Sequence, residues 1–414
     1  MNRLVFQNIK ELLQIRNADV AFVSGRDMQQ LPSIKNAYLM VENGKIADYG
    51  TMESMPSLAE KAWQEIDATG KMMLPSWCDS HTHLVYAGNR ETEFVDRIKG
   101  LSYQEIAQKG GGILNSALKL NAESEEELYE QSSARLAEII SLGTGAVEIK
   151  SGYGLTVDGE LKMLRVIQQL KRDYPIPIKA TFLGAHAIPE AYKDKKDKYL
   201  AMLIQQILPT IVNEQLADYI DIFCEEGYFS VKDAELVMAA GMLNGLRAKI
   251  HVNQFTVLGG IKAAVQAGAL SVDHLEELSD ADIVALQGSD TMPVALPGCS
   301  YFLGIPYTPA RRIIDAGLPI ALATDYNPGS APSGNMNQVV SAACIKMKMT
   351  PEEAINAATL NGAYAMELEN EMGSITVGKR ANLLLTKAIP SSNFIPYAFG
   401  STILDTVYVN GIEQ

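Results

Sequence analysis

Five histidines occur in the 414 residues: His81, His83, His186, His251 and His274. His81 and His83 stand two apart in a β-like run. Period two sends both side chains to one face of a strand, where both can reach a single ion. His251, in RAKIHVNQF, adds a third imidazole, and Asp325, in PIALATDYNPGS, adds a carboxylate. A His-x-His pair alone is common; three nitrogens with one carboxylate form a far more specific set, suited to Zn²⁺ or Fe²⁺ rather than Mg²⁺ or Ca²⁺. With a water as fifth ligand such a site performs hydrolysis, because a divalent ion makes water reactive near neutral pH.

The elements that must position these residues can be read from the alternation of the chain. Eight short β-branched or apolar runs are each followed by a helical stretch: MMLPSWCDSHTH, GAVEIKSGYG, PIKATFLGAHAIP, DYIDIFCEEGYF, RAKIHVNQF, LSVDHLEE, DTMPVALPGC and PIALATDYNPGS. Ser124 with Glu127 and Ser230 with Asp233 predict capped helix starts, and TPEE at 350–353 places proline at a first helical position. This pattern predicts a (β/α)8 TIM-like barrel. An open doubly wound sheet is the rival, but its GxGxxG fingerprint is absent. Every histidine falls at the C-terminal end of an expected strand, the catalytic rim of such a barrel, a concentration that packing alone does not explain.

Outside the barrel, AYLMVENGKIADYG and ILDTVYVNGIEQ carry Asn43-Gly44 and Asn410-Gly411, strong hairpin signals near both ends. The terminal segments are therefore expected to form a small β-sandwich, residues 1–70 giving one half and 369–414 the other, with the metal-binding barrel over 71–368. The formal net charge of −14 and the lack of a basic stripe exclude a nucleic-acid partner, while leaving room for a small anionic substrate held by one arginine. No window is long and apolar enough to span a bilayer, and the N-terminus does not read as a signal peptide. Cys78, Cys224, Cys299 and Cys344 lie far apart without CxxC pairing, as expected of reduced thiols in a cytoplasmic protein.

Longer strings narrow the reading. DSHTHL at 79–84, ATDYNPGS at 323–330 and TPEEAINAATLNGAYAM at 350–366 resemble the amidohydrolase superfamily; HTHLVYAGNRETEF, AQKGGGI, EIKSGYGL, FLGAHAIP and HVNQFTVLGG resemble, within it, the imidazolonepropionases of histidine degradation. The resemblance covers nearly the whole chain. It implies hydrolysis of 4-imidazolone-5-propanoate to N-formimidoyl-L-glutamate, and it suggests a homodimer. It also bears on metal count, because binuclear members bridge their ions with a lysine at the end of the fourth strand. Here that end, IFCEEGYF, offers Cys224, Glu225 and Glu226 but no lysine, so one divalent ion, Zn²⁺ or Fe²⁺, is expected. Lys150, which ends the second strand, reads as a rim charge or substrate contact.

The resemblance also implies roles. Asp325 touches the metal and can move a proton from water to the leaving ring nitrogen, and His274 can hydrogen-bond the carbonyl oxygen. Arg90, in the family string HLVYAGNR, offers a fork to the propionate. Tyr153 and His186 resemble substrate-binding groups. Asn327, Gly329 and Ser330 present backbone and short side chains for gripping the carboxylate. Gln254 stands where some members have glutamate; an amide cannot be a general base, so it is expected to orient the ring. That amide also argues against the alternative, a cytosine- or guanine-deaminase-like aminohydrolase, which needs a carboxylate there. A non-enzymatic scaffold would have eroded ligands, and none of the four is missing. The glycine run 110–112 is expected to be a loop over the barrel mouth, as a lid or a plain turn.

Overall fold

A computed structural model describes residues 3–58, 62–101, 105, 111–399 and 401–414. Strands β1 (Arg3–Leu13), β2 (Ser33–Glu42), β3 (Lys45–Thr51), β4 (Gln64–Asp67) and β5 (Lys71–Pro75) lie before the barrel. The barrel strands are β6 (Trp77–Thr82), β7 (Thr144–Lys150), β8 (Ile178–Ala185), β9 (Tyr219–Cys224), β10 (Arg247–Val252), β11 (Ser271–His274), β12 (Met292–Ala295) and β13 (Ala321–Leu322). Strands β14 (Leu383–Ala388), β15 (Leu404–Val409) and β16 (Ile412–Glu413) follow it.

The terminal segments join in one mixed sheet of order β16-β15-β14-β5-β1-β2-β3, with β4 also paired to β1. Strand β1 forks it: Leu4–Gln7 pair with β4, whereas Glu11 and Leu12 pair with β5. The fork lets the sheet fold over Phe6, Ile9, Leu12, Leu39, Leu383 and Leu385, a core separate from that of the barrel. Both Asn-Gly pairs turn as expected, with positive φ at Asn43, Gly44, Asn410 and Gly411, the geometry that matches strand twist in a two-residue hairpin. The N-terminal portion of this sheet runs to Pro75, beyond the break expected near residue 70, because β5 pairs antiparallel with β14.

Strands β6 to β13 form a second sheet in sequence order, all parallel, with intervening helices. This is the expected (β/α)8 barrel. The helix starts behave as their chemistry dictates: Ser124 and Ser230 form capping boxes with Glu127 and Asp233, and Thr350 does so with Glu353 ahead of Pro351. The eighth strand is only two residues long, so the seam between it and β6 relies on flanking residues. Asp325 N–H donates to His81 O at 3.0 Å, His83 N–H donates to Tyr326 O at 2.8 Å, and Thr324 donates through both N–H and Oγ1 to Asp79 at 3.0 and 2.7 Å.

Candidate metal centre and cavity

Four side chains converge at the C-terminal ends of β6, β10 and β13. The Nε2 atoms of His81 and His83 each lie 3.5 Å from Asp325 Oδ1, and His251 Nε2 lies 3.5 Å from His83 Nε2. Donor atoms about 2.0–2.2 Å from one ion stand at this spacing from one another. All four residues are buried, and His81 Nε2 has no hydrogen-bond partner. A buried nitrogen without a partner is costly unless something else uses its lone pair. Burial above all, then nearby Lys150 for His81 and His186 for His83, holds both imidazoles well below their usual range, so both offer neutral lone pairs. The donor set fits a divalent ion.

The far sides of two of the three rings face carboxylates, while His83 Nδ1 has no hydrogen-bond partner among the described residues. His81 Nδ1 meets Asp273 Oδ2 at 2.6 Å, and His251 Nδ1 lies 3.0 Å from Asp221 Oδ2, although off the line of a full hydrogen bond. Such partners fix ring orientation and raise ligand basicity. Sequence reasoning missed both. Their signal was period two: Asp273 stands two from Ser271, and Asp221 stands two from Tyr219 and Phe223, each in an apolar strand, and so on one face with those neighbours.

Lys150 corrects an expectation. It is neither a rim charge nor a substrate contact; its fully buried ammonium lies 2.7 Å from Glu148 Oε1, 2.8 Å from Asp221 Oδ2 and 3.5 Å from Asp273 Oδ2. Reading Lys150 as the strand's end implied a side chain at the mouth, whereas the pleat points it inward.

His274 ends β11 with φ +91, and Leu275 follows at +66, a left-handed pair rare for non-glycine residues and often found at functional sites. His274 Nδ1 lies 3.4 Å from Glu276 Oε1, and a donor atom of its ring comes within 4.8 Å of those of His81 and His251. Burial acts to lower the His274 pKa, but Glu276, Asp325 and Asp273 outweigh it and raise it above the usual value. Burial also raises Asp325, opposed by His274 and His251.

Above the four donors lies a cavity of about 160 Å³ whose walls include Arg90, Tyr153, His186, Gln254, Asn327, Gly329 and Ser330. The sequence-expected substrate residues are therefore together. Arg97, Phe223, Tyr228, Phe255 and Leu303 also line it, and none was singled out from sequence. Arg90 is clamped by Glu93, with Nε and Nη2 at 2.8 and 2.6 Å from Oε2, and its guanidinium packs against Gly329, where a Cβ would displace it. Glu93 Oε1 also accepts the N–H of Gly112, which at φ +84 precedes the helix Ile113–Ala122; Gly110 lies outside the described residues. His186 Nδ1 lies 3.1 Å from Gly152 O, and its ring stacks on His83 at 5.1 Å. Gln254 donates through Nε2 to Cys299 Sγ at 3.3 Å.

The NPGS turn departs from expectation. The N–H groups of Gly329 and Ser330 both donate to Asn327 Oδ1 at 2.8 Å, while Asn327 Nδ2 donates to Asp325 O and Ser330 Oγ. These amides hold the turn and are already engaged, so they are not open to a carboxylate in this arrangement. Ser330 Oγ lies 3.3 Å from Asp325 Oδ2 and steadies that carboxylate instead.

Comparison with known proteins agrees with the geometry. The Amidohydrolase family profile matches residues 72–412. The chain is 64% identical to an imidazolonepropionase of Christiangramia forsetii, each chain being 99% covered. It is 63% identical to one of Flavobacterium johnsoniae with 98% of each covered, and 39% identical to one of a Geobacillus species with 99% and 97% covered. Among solved structures, an adenosine deaminase from Xanthomonas campestris with bound zinc superposes with a TM-score of 0.72 at 16% identity, covering 99% of this chain and 92% of that one. A guanine deaminase from C. acetobutylicum gives 0.70 at 15% identity over the whole of both chains. Those two likenesses concern the fold. Identity near two thirds over the full length concerns the family: this chain belongs to the imidazolonepropionases of the amidohydrolase superfamily.

Proposed function

We propose that the cavity binds 4-imidazolone-5-propanoate and that the chain hydrolyses it to N-formimidoyl-L-glutamate, with His81, His83, His251 and Asp325 holding a single Zn²⁺ or Fe²⁺. The observation that carries this reading is the convergence of three Nε2 atoms and one carboxylate oxygen beneath a cavity walled by a clamped arginine. When bound, the ion supplies Lewis acidity and activates water. The chain supplies the rest. Asp325, kept in place by Ser330 Oγ, accepts the water's proton and returns it to the leaving ring nitrogen. His274, a ring nitrogen held by Glu276, donates to the oxygen on which negative charge develops. Arg90 pairs with the propionate, Tyr153 and His186 flank the ring, and Gln254 orients it through its amide. No helix among the described residues is long and apolar enough to cross a membrane; the reading extends to a cytoplasmic homodimer.

Loss of ultraviolet absorbance of the imidazolone on mixing with purified, metal-loaded protein tests the activity, and a stable spectrum would reject it. Within this reading, Arg90→Met is expected chiefly to raise KM while metal content stays at the wild-type level. Losing one partner of a desolvated charge pair costs about 2–5 kcal/mol. An unchanged KM would remove Arg90 from the binding machinery.

A further inference from the structure

We propose that Lys150 is a positioning residue for the metal centre, tying Asp221 and Asp273, the partners of His251 and His81, into one rigid unit beneath the ligands. The inference rests on the ligand set proposed above and goes beyond it.

The ammonium is central to a buried cluster. Beyond the three carboxylates of Glu148, Asp221 and Asp273, Lys249 Nζ pairs with Glu148 Oε2 and lies 3.0 Å from Ala365 O. The carboxylates accept further hydrogen bonds. Thr181 Oγ1 donates to Glu148 Oε1 at 2.6 Å, Ser271 Oγ to Asp273 Oδ1 at 2.6 Å, and the N–H groups of Ile222 and His251 to Asp221 Oδ1 at 2.7 and 3.2 Å. Among the described residues Lys150 alone spans both carboxylates that face metal-binding rings, and it reaches them from a third strand, β7. Two ammonium groups thus stand against three carboxylates. Without Lys150, Asp221 and Asp273 would have no common anchor, and one ammonium would face three buried anions, an arrangement that drives side chains apart. Two of the four donors would then lose fixed orientation at once. Lys150 does not line the cavity, so substrate contact is not its function.

The test measures Zn²⁺ affinity of the metal-free protein by competition with a chromogenic chelator, together with the Tm of the metal-free form and KM after loading. Lys150→Met is expected to weaken Zn²⁺ binding about 10- to 100-fold, the range seen when outer partners of metal ligands are lost, with KM unchanged. Lys150→Met combined with Glu148→Gln removes one charge of each sign. It is expected to recover the Tm of the metal-free form while leaving Zn²⁺ affinity weakened, because Asp221 and Asp273 remain untied. Zn²⁺ affinity within threefold of wild type in either folded variant overturns the proposal, as does full recovery of affinity in the double variant, which would assign the effect to charge balance. Failure of both variants to fold would make the cluster a scaffold and overturn it equally. If wild-type protein itself took up far less than one equivalent of Zn²⁺, the ligand reading would fail; tight binding by wild type and Lys150→Met alike would defeat only the role given to Lys150.

Discussion

His251→Ala is expected to lower metal content and turnover together, with metal affinity and turnover each falling at least about 100-fold, because losing even an outer partner of a ligand can cost that much. His251 is the donor from β10, standing across the barrel from the His81/His83 pair and linked to it by the 3.5 Å approach to His83 Nε2. Its removal leaves three donors, two of them from one strand. The check is metal analysis of purified variant alongside turnover. Near-stoichiometric metal with wild-type turnover would show that the ion is held elsewhere.

The second large effect concerns proton transfer. Asp325→Asn removes an anionic donor and the proposed base at once, and a general base alone contributes about 10²–10⁴-fold. A loss of kcat beyond 10³-fold is expected, with metal binding also weakened. Gln254 supplies the contrast. Its amide, given to Cys299 Sγ, has no accessible pKa, so Gln254→Ala should lose only ring positioning. Gln254→Glu is the discriminating variant. Activity within a few-fold of wild type, with an unmoved pH profile, would leave the proton with Asp325 and His274. A kcat gain above about tenfold, worth about 1.4 kcal/mol, with a new acidic limb, would make a carboxylate at 254 the better base and overturn that division of labour.

The sequence made strands and turns legible where their chemistry is local. Asn43-Gly44 and Asn410-Gly411 favour positive φ between two apolar runs, and both pairs adopt it, while period two put His81 and His83 on one face before any partner was known. The placement of histidines at one rim followed from strand ends alone. What escaped was everything decided between strands. Whether Lys150 meets water or carboxylates depends on Asp221 and Asp273, 71 and 123 positions away, and on the inward pleat they share. In the NPGS turn Asn327 Oδ1 accepts from the amides of Gly329 and Ser330, an Asx-type turn that these residue types favour. Glu93, which clamps Arg90, is three positions along the same short helix and looks like any exposed helix acid from sequence.

The joint between β6 and β13 has a thermodynamic meaning. His81 and His83 stand on one side of it and Asp325 on the other, and their own backbones make the bonds across it, His83 N–H to Tyr326 O and Asp325 N–H to His81 O. A fluctuation that parts these strands therefore pulls the donors apart, while donors held together by an ion resist it. If these residues hold the ion as proposed, binding and closure of this joint are linked, and the ion stabilises the closed joint against local opening. Amide hydrogen exchange at His83 and Asp325 should accordingly be among the most strongly slowed by metal and the first to quicken on chelation. Exchange at these two amides that ignores metal while the rest of the barrel responds would uncouple the two events.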